Sequence, residues 1–286
     1  MKRVKENKLK FKDSDDAVVG IVVTLMIIGL FITAIAYVQT VFVPQWMQKK
    51  ESEHMNQVAN QFAQLKSSID TISSLDKPNI QISVPVTLGS DEIPFLTSSK
   101  SYGSLNLKPN DFKITIKDKN NDTISYILGS IEYTSANSYY RNLKYIYENG
   151  ALILSQPPHS IFIINPSFSM IGGKDLSFDL IKLIGLGEKT SASGYSTCPI
   201  QARYSTSQDF VIYSVEKITI RTTYKDIWSN LFNDQLFGSG ILYSIDDTIN
   251  NEGFEITFYD TEDTDLPDMT LNIFEINIQI STGWIE

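Results

Sequence analysis

Few residues of this chain have the types and spacing that chemistry needs. His54 and His159 are its two histidines. Neither stands near a nucleophile or a second ligating side chain at the spacing that a catalytic triad or a zinc site requires. The sequence holds no GxSxG elbow, HExxH helix, phosphate-binding glycine loop or dinucleotide fingerprint. Gly172-Gly173 and Gly185-Leu186-Gly187 read as turns, because no strand–glycine–helix context surrounds them. Cys198 is the sole cysteine, which rules out an internal disulfide and a cysteine-rich metal centre. It reads as a small buried hydrophobe, with an intermolecular disulfide as the other use. The acidic stretch Asp260-Thr261-Glu262-Asp263-Thr264-Asp265-Leu266-Pro267-Asp268 offers hard oxygen ligands of the kind Ca²⁺ takes. It lacks the central glycine and distal glutamate of an EF-hand loop, so a solvated loop between two strands is the plainer reading. Asn121-Asp122-Thr123 is a glycosylation sequon in a polar turn, whereas Asn165-Pro166-Ser167 is excluded by its proline. With no catalytic residue and no cofactor site among these, the chain reads as a non-enzyme.

The elements around these residues say more than the residues do. Ala17 to Pro44 is a run of 28 residues without a charge. As a helix it would cover about 40 Å, against roughly 30 Å of bilayer hydrocarbon. It is longer than the apolar region of an ordinary signal peptide. Six basic residues precede it, from Lys2 to Lys12, and with the four acids there the tail is at +2, while the rest of the chain carries −11. The balanced flank Lys49, Lys50, Glu51 and Glu53 follows it. This asymmetry places residues 1–16 in the cytoplasm and everything after the span outside, with the lipid bilayer as the first partner. Tyr37 and Trp46 fall toward the outer interface, and Pro44 is expected to kink or end the helix. Gly20, Thr24, Gly29, Thr33, Ala34 and Ala36 supply small side chains that let helices approach closely in lipid. The acidic head excludes nucleic acid as a partner, since phosphate binding needs basic patches.

Beyond the span, Met55, Val58, Phe62, Leu65, Ile69 and Ile72 recur at alternating spacings of three and four. They make one apolar stripe on a stalk helix, 45–77, which is either a coiled-coil seam or a face packed on the head. Asp76-Lys77-Pro78-Asn79 breaks it. Period-two alternation then begins, with strands expected near Asn79–Pro85, Leu105–Leu107, Phe112–Lys117 and Thr123–Thr134. Others are expected at Ser160–Asn165, Leu176–Ile184, Tyr195–Tyr204, Val211–Arg221, Ile241–Ile245, Phe254–Tyr259 and Thr270–Ser281. Asn149-Gly150 marks a tight hairpin. Thr223-Tyr224-Lys225-Asp226 resembles a capping box before a helix whose buried face carries Ile227, Trp228, Leu231, Phe232 and Leu236. Tyr139-Tyr140, Tyr145 and Tyr147 could be adhesive, but cross-strand packing accounts for them more simply. The expected fold class is α+β. It joins a transmembrane helix (17–44) and an amphipathic stalk to a mainly antiparallel β-sandwich head (78–286) with one short helix.

Asp15-Asp16-Ala17-Val18-Val19-Gly20-Ile21-Val22-Val23-Thr24-Leu25-Met26 resembles the N-terminal region of archaeal type IV pilins and flagellin-like proteins. The head is similar to that of archaeal pilin-like surface proteins at Gly129-Ser130-Ile131-Glu132-Tyr133, Asn137-Ser138-Tyr139-Tyr140, Tyr145–Gln156 and Asp226-Ile227-Trp228. The resemblance implies a leader cut by a prepilin peptidase between Asp16 and Ala17, which frees the apolar helix to pack with other pilin-like subunits or with its own copies. Asp15-Asp16 stands where many such leaders carry a basic residue, and no Ser-Pro follows. Two outcomes therefore stay open, a filament subunit and a membrane-bound accessory subunit. A monomeric, membrane-tethered ligand-binding or sensory ectodomain is the alternative function.

Overall fold

The computed structural model describes residues 13–90, 100–171, 174–248, 253–261 and 265–281, with side chains from residue 18 onward. The apolar run and the stalk form one helix. Helix α1 (Asp13–Tyr37) passes through a π-helical turn, Val38–Phe42, into α2 (Val43–Leu75). Of the two outcomes expected for Pro44, a kink or an end, the end does not occur, because the helix continues through it. It falls in the first turn of α2, and Val43 donates its N–H to Val38 O five residues back. Proline brings no N–H and crowds the carbonyl four residues before it, and a widened turn just upstream accommodates both effects without breaking the helix.

The stripe on α2 packs on the head rather than forming a coiled-coil seam. Met55, Val58, Phe62, Leu65, Ile69 and Ile72 are each at most 1% exposed. They share a core with Val84, Val86, Tyr133, Tyr145, Tyr147, Ile200 and Ile276. Each buried side chain of this size contributes about 1.5–3 kcal/mol. The helix stops where Asp76 turns left-handed, at φ 45°. The Asp76 carboxylate there accepts hydrogen bonds from the hydroxyls of Tyr204 and Ser207.

The strands are β1 (Gln81–Thr87), β2 (Tyr102–Lys108), β3 (Phe112–Asp118), β4 (Thr123–Ile127), β5 (Ser130–Ala136), β6 (Lys144–Glu148), β7 (Ala151–Gln156) and β8 (His159–Ile164). They continue with β9 (Phe168–Ile171), β10 (Asp175–Gly185), β11 (Ser191–Gly194), β12 (Thr197–Ile212) and β13 (Val215–Thr222). Helix α3 (Lys225–Leu236) precedes β14 (Tyr243–Asp246), β15 (Gly253–Phe258) and β16 (Met269–Ile280). They form three sheets, ordered β1-β12-β16-β10-β9, β11-β2-β5-β6-β7-β8 and β14-β15-β13-β3-β4. The head is thus a mostly antiparallel β-rich domain, with β10 and β16 pairing in parallel.

Several local expectations need adjusting. The segment Thr123–Thr134 is two strands, because Gly129 takes φ 77° between them. Val211–Arg221 is likewise split at Ser214, where φ is 52°. The capping box before α3 does not form. Tyr224 is the N-cap and makes no side-chain cap, while the Thr223 hydroxyl faces Asp111 at 3.5 Å. Asp226 still lies in the first turn, where a negative charge suits the helix dipole. The buried face of α3 is largely as expected: Trp228 and Phe232 pack among Phe112, Phe168, Phe178 and Phe254 in a second core. Ile227 is only partly buried against it.

Candidate functional site

Two features of α1 and α2 set the functional reading: an exposed apolar half and a buried polar junction. An 18-residue window of the helix has a mean hydropathy of 2.8 and none of it is buried. Met26 is 71% exposed and Leu30 69%. A surface of this kind needs another apolar phase to cover it. Val43 and Met47 are the first buried residues of the helix, and from Glu51 onward one face of it is buried.

The junction is polar and closely bonded. Glu51 is fully buried. Its carboxylate accepts three backbone N–H groups, from Ser138 at 2.9 Å, Tyr139 at 2.8 Å and Tyr140 at 2.6 Å. The loop between β5 and β6 offers these donors in a row because Asn137 braces it, bonding Asn142 Oδ1 and Arg141 O. One turn on, His54 Nε2 meets Thr87 O at 2.9 Å. Gln61 bridges Thr87 twice, accepting its N–H and donating to its hydroxyl. A carboxylate that accepts several amide protons makes charge-assisted bonds, stronger than neutral ones. The helix is thereby bonded to the head just beyond its exposed half.

Two more carboxyls are buried elsewhere in the head. Glu132 binds Lys108 at 2.7 Å and Lys144 at 3.3 Å. Burial would raise its pKa, but the two lysines outweigh burial and hold it below the ordinary value. Glu148 has no such cation in contact. Its Oε1 accepts from Trp228 Nε1 at 2.7 Å and from Thr222 at 2.8 Å. Burial pushes it up to about 8, so the fold holds it as the neutral acid near neutral pH.

The residues singled out in the sequence are scattered. Asp16 and Ala17 fall within helical backbone, and their side chains lie outside the described residues. Asn121 is exposed at the β3–β4 turn with φ 68°, in a loop that Asp118 pins by accepting N–H bonds from Asn120 and Asp122. His54 is a junction residue, and His159 is exposed at the start of β8. Cys198 is half-buried on β12, and burial raises its thiol pKa. Of the acidic stretch, residues 262–264 lie outside the described residues. Asp260 pairs with Lys119, and Asp268 accepts the Ser214 N–H at 2.9 Å. Among the described residues no three acidic, histidine or cysteine side chains gather as a metal site. Tyr145 and Tyr147 are core, while Tyr139 is 39% exposed.

The sequence placed Glu51 only in the charged flank of the span, whereas it is fully buried, although a signal for this existed. It lies four residues before Met55 and so extends the buried stripe toward the exposed apolar half of the helix. Glu148 had no comparable signal, because it ends a strand next to a turn, where acids are usually solvated. Comparison with protein-family models, with curated proteins and with solved structures returns no match for this chain.

Proposed function

We propose that this is a non-enzymatic, pilin-like cell-surface protein. Its N-terminal helix is held in the bilayer or packed against like helices, and it presents the β-rich head outside the cell. The observation that supports this most is the sharp change along one continuous helix. The half from Val18 to Tyr37 is apolar and exposed, while from Met47 onward one face of the helix is buried, with the Glu51 clamp at its start. A helix that served only as a tether would have no need of a rigid joint. A subunit that transmits position or force from helix to head does need one.

N-terminal sequencing and alkaline extraction of the protein from its native membranes test the proposal. A mature start at Ala17 supports the filament subunit, a retained basic tail with oligomers in detergent supports the anchored accessory form, and a retained tail with only monomers in detergent counts against both. A soluble protein starting beyond Pro44 overturns both.

A further inference from the structure

Four stretches of the head converge on α2 at the end nearest its exposed apolar half. Strand β1 runs back along the helix, and the carbonyl of its last residue, Thr87, meets His54 at 2.9 Å. The chain continues past that point to Gly89, whose N–H donates at 3.3 Å to Tyr195 O in the β11–β12 turn. Ser90 and Ser101 exchange hydrogen bonds, each N–H to the other's hydroxyl, at 2.7 and 3.1 Å. The next residue, Tyr102, pairs with Ala136 at the end of β5. The loop after Ala136 is the one bonded to Glu51. These stretches form a collar beside the helix at the level of Glu51 to His54. Three of its side chains are exposed tyrosines: Tyr102 at 40%, Tyr139 at 39% and Tyr195 at 53%. Tyr102 and Tyr195 stack edge to face with ring centroids 5.6 Å apart. Lys50 and Arg141 stand exposed at the same level.

We infer that this collar rests on the lipid headgroups of the outer leaflet. The inference rests on the anchored reading of α1 and adds that the head lies against the membrane surface rather than being held off it. Reach and chemistry choose the partner. Trp46 is 50% exposed and sits on the helix between the apolar half and the collar. At 1.5 Å per residue, Glu51 lies about 7.5 Å beyond Trp46. The headgroup layer adds about 5–8 Å on each side of the hydrocarbon. A helix with Trp46 at the interface therefore brings the collar to the headgroups, and it leaves too little free length for another protein to enter between them. Tyrosine joins an apolar ring to a polar hydroxyl, and such side chains gather in this layer. Lys50 and Arg141 have stems long enough to carry their charges to lipid phosphates.

The test uses the full-length chain, carrying Cys198→Ser, in vesicles of phosphatidylcholine and phosphatidylglycerol. A single bimane label is placed through Ser196→Cys, in the collar, or through Lys77→Cys, just past the far end of α2. Leu75 closes α2 about 36 Å beyond Glu51, so the two labels differ widely in height. A lipid spin-labelled at its headgroup should quench the label at position 196 and leave the label at position 77 bright. Lys50→Gln with Arg141→Gln should weaken the contact about fivefold for each charge removed, while the melting temperature in detergent stays the same. Chains that withstand a carbonate wash yet show no quenching at position 196, or quenching that the double variant leaves unchanged, would overturn the inference while the anchor stands. Quenching that disappears as the chains are crowded would assign the collar to a second copy and overturn it too. Release of the chain by carbonate would fail the anchored reading and take the inference with it.

Discussion

Replacing Glu148 by Gln should remove much of the pH dependence of the head's stability between about pH 5 and pH 9. In the folded chain its carboxyl is buried beside Trp228 and Thr222, and its pKa stands at about 8 against an ordinary 4.5. Burial is the main cause and nearby Asp111 adds to it, while the hydrogen bonds from Thr222 and Trp228 and the charge of Lys108 oppose it. Because the folded pKa is raised, the folded state holds the proton more tightly than the unfolded chain does. The stabilisation is complete below about pH 4.5 and is lost as pH rises through about 8. At 1.36 kcal/mol for each unit, the loss approaches about 5 kcal/mol. A Gln side chain keeps the acceptor for Trp228 and Thr222 and does not titrate. It places an amide where Oε2 has no partner, which should make the variant about 1 kcal/mol less stable than the parent in acid. At about pH 9 the order should reverse, with the variant more stable by roughly 3–4 kcal/mol. Urea unfolding of both proteins in detergent, followed by tryptophan fluorescence across this range, measures the difference directly. Parallel stability profiles for the two proteins would refute the reasoning, since they would mean that Glu148 titrates alike when folded and unfolded.

Glu51→Ala strips three backbone N–H groups of their acceptor, and should cost about 2–4 kcal/mol and open the Ser138–Tyr140 loop. Limited proteolysis together with thermal melting reads both effects. Gly103→Ala should prevent folding or cost more than about 3 kcal/mol, because a Cβ there would lie 2.1 Å from Leu88 O and 2.7 Å from the Tyr133 hydroxyl. Those two groups are hydrogen-bonded to each other at 2.7 Å, so neither is placed to yield. Recovery of soluble, cooperatively melting Gly103→Ala protein would contradict this. Asn121, exposed at its turn, should carry a glycan when the chain is made in a glycosylating host. Intact-mass measurement of the parent and of Asn121→Gln should then differ by a glycan, and equal masses apart from the substitution count against it.

Patterns carried within a few turns of chain were the legible part of this protein. The spacing from Met55 to Ile72 specified a helix with one apolar face, and that face is buried. Asn149-Gly150 specified a tight hairpin, and both residues adopt positive φ there, at 45° and 75°. The Thr223–Asp226 pattern misled, because a side chain that can cap a helix can also turn to another partner, here Asp111. The strand partners were not legible. Alternation tells which face of a strand is apolar, but it does not tell which strand lies beside it. The parallel pairing of β10 with β16 joins residues 176–185 to 269–278 across most of the head, and no local signal records it.

By itself the sequence determined where the apolar helix lies, that the helix continues into an amphipathic stretch, and that a β-rich domain follows. These depend on composition and period, which act locally. Only the tertiary structure decided that the stripe on α2 packs on the head, that Glu51 bonds a loop nearly ninety residues away, and that Glu148 is held uncharged. The buried state of a carboxyl depends on what surrounds it in space, and its neighbours come from distant parts of the chain. Asp70 and Asn149 likewise meet at one cleft only because α2 ends against the β6–β7 hairpin.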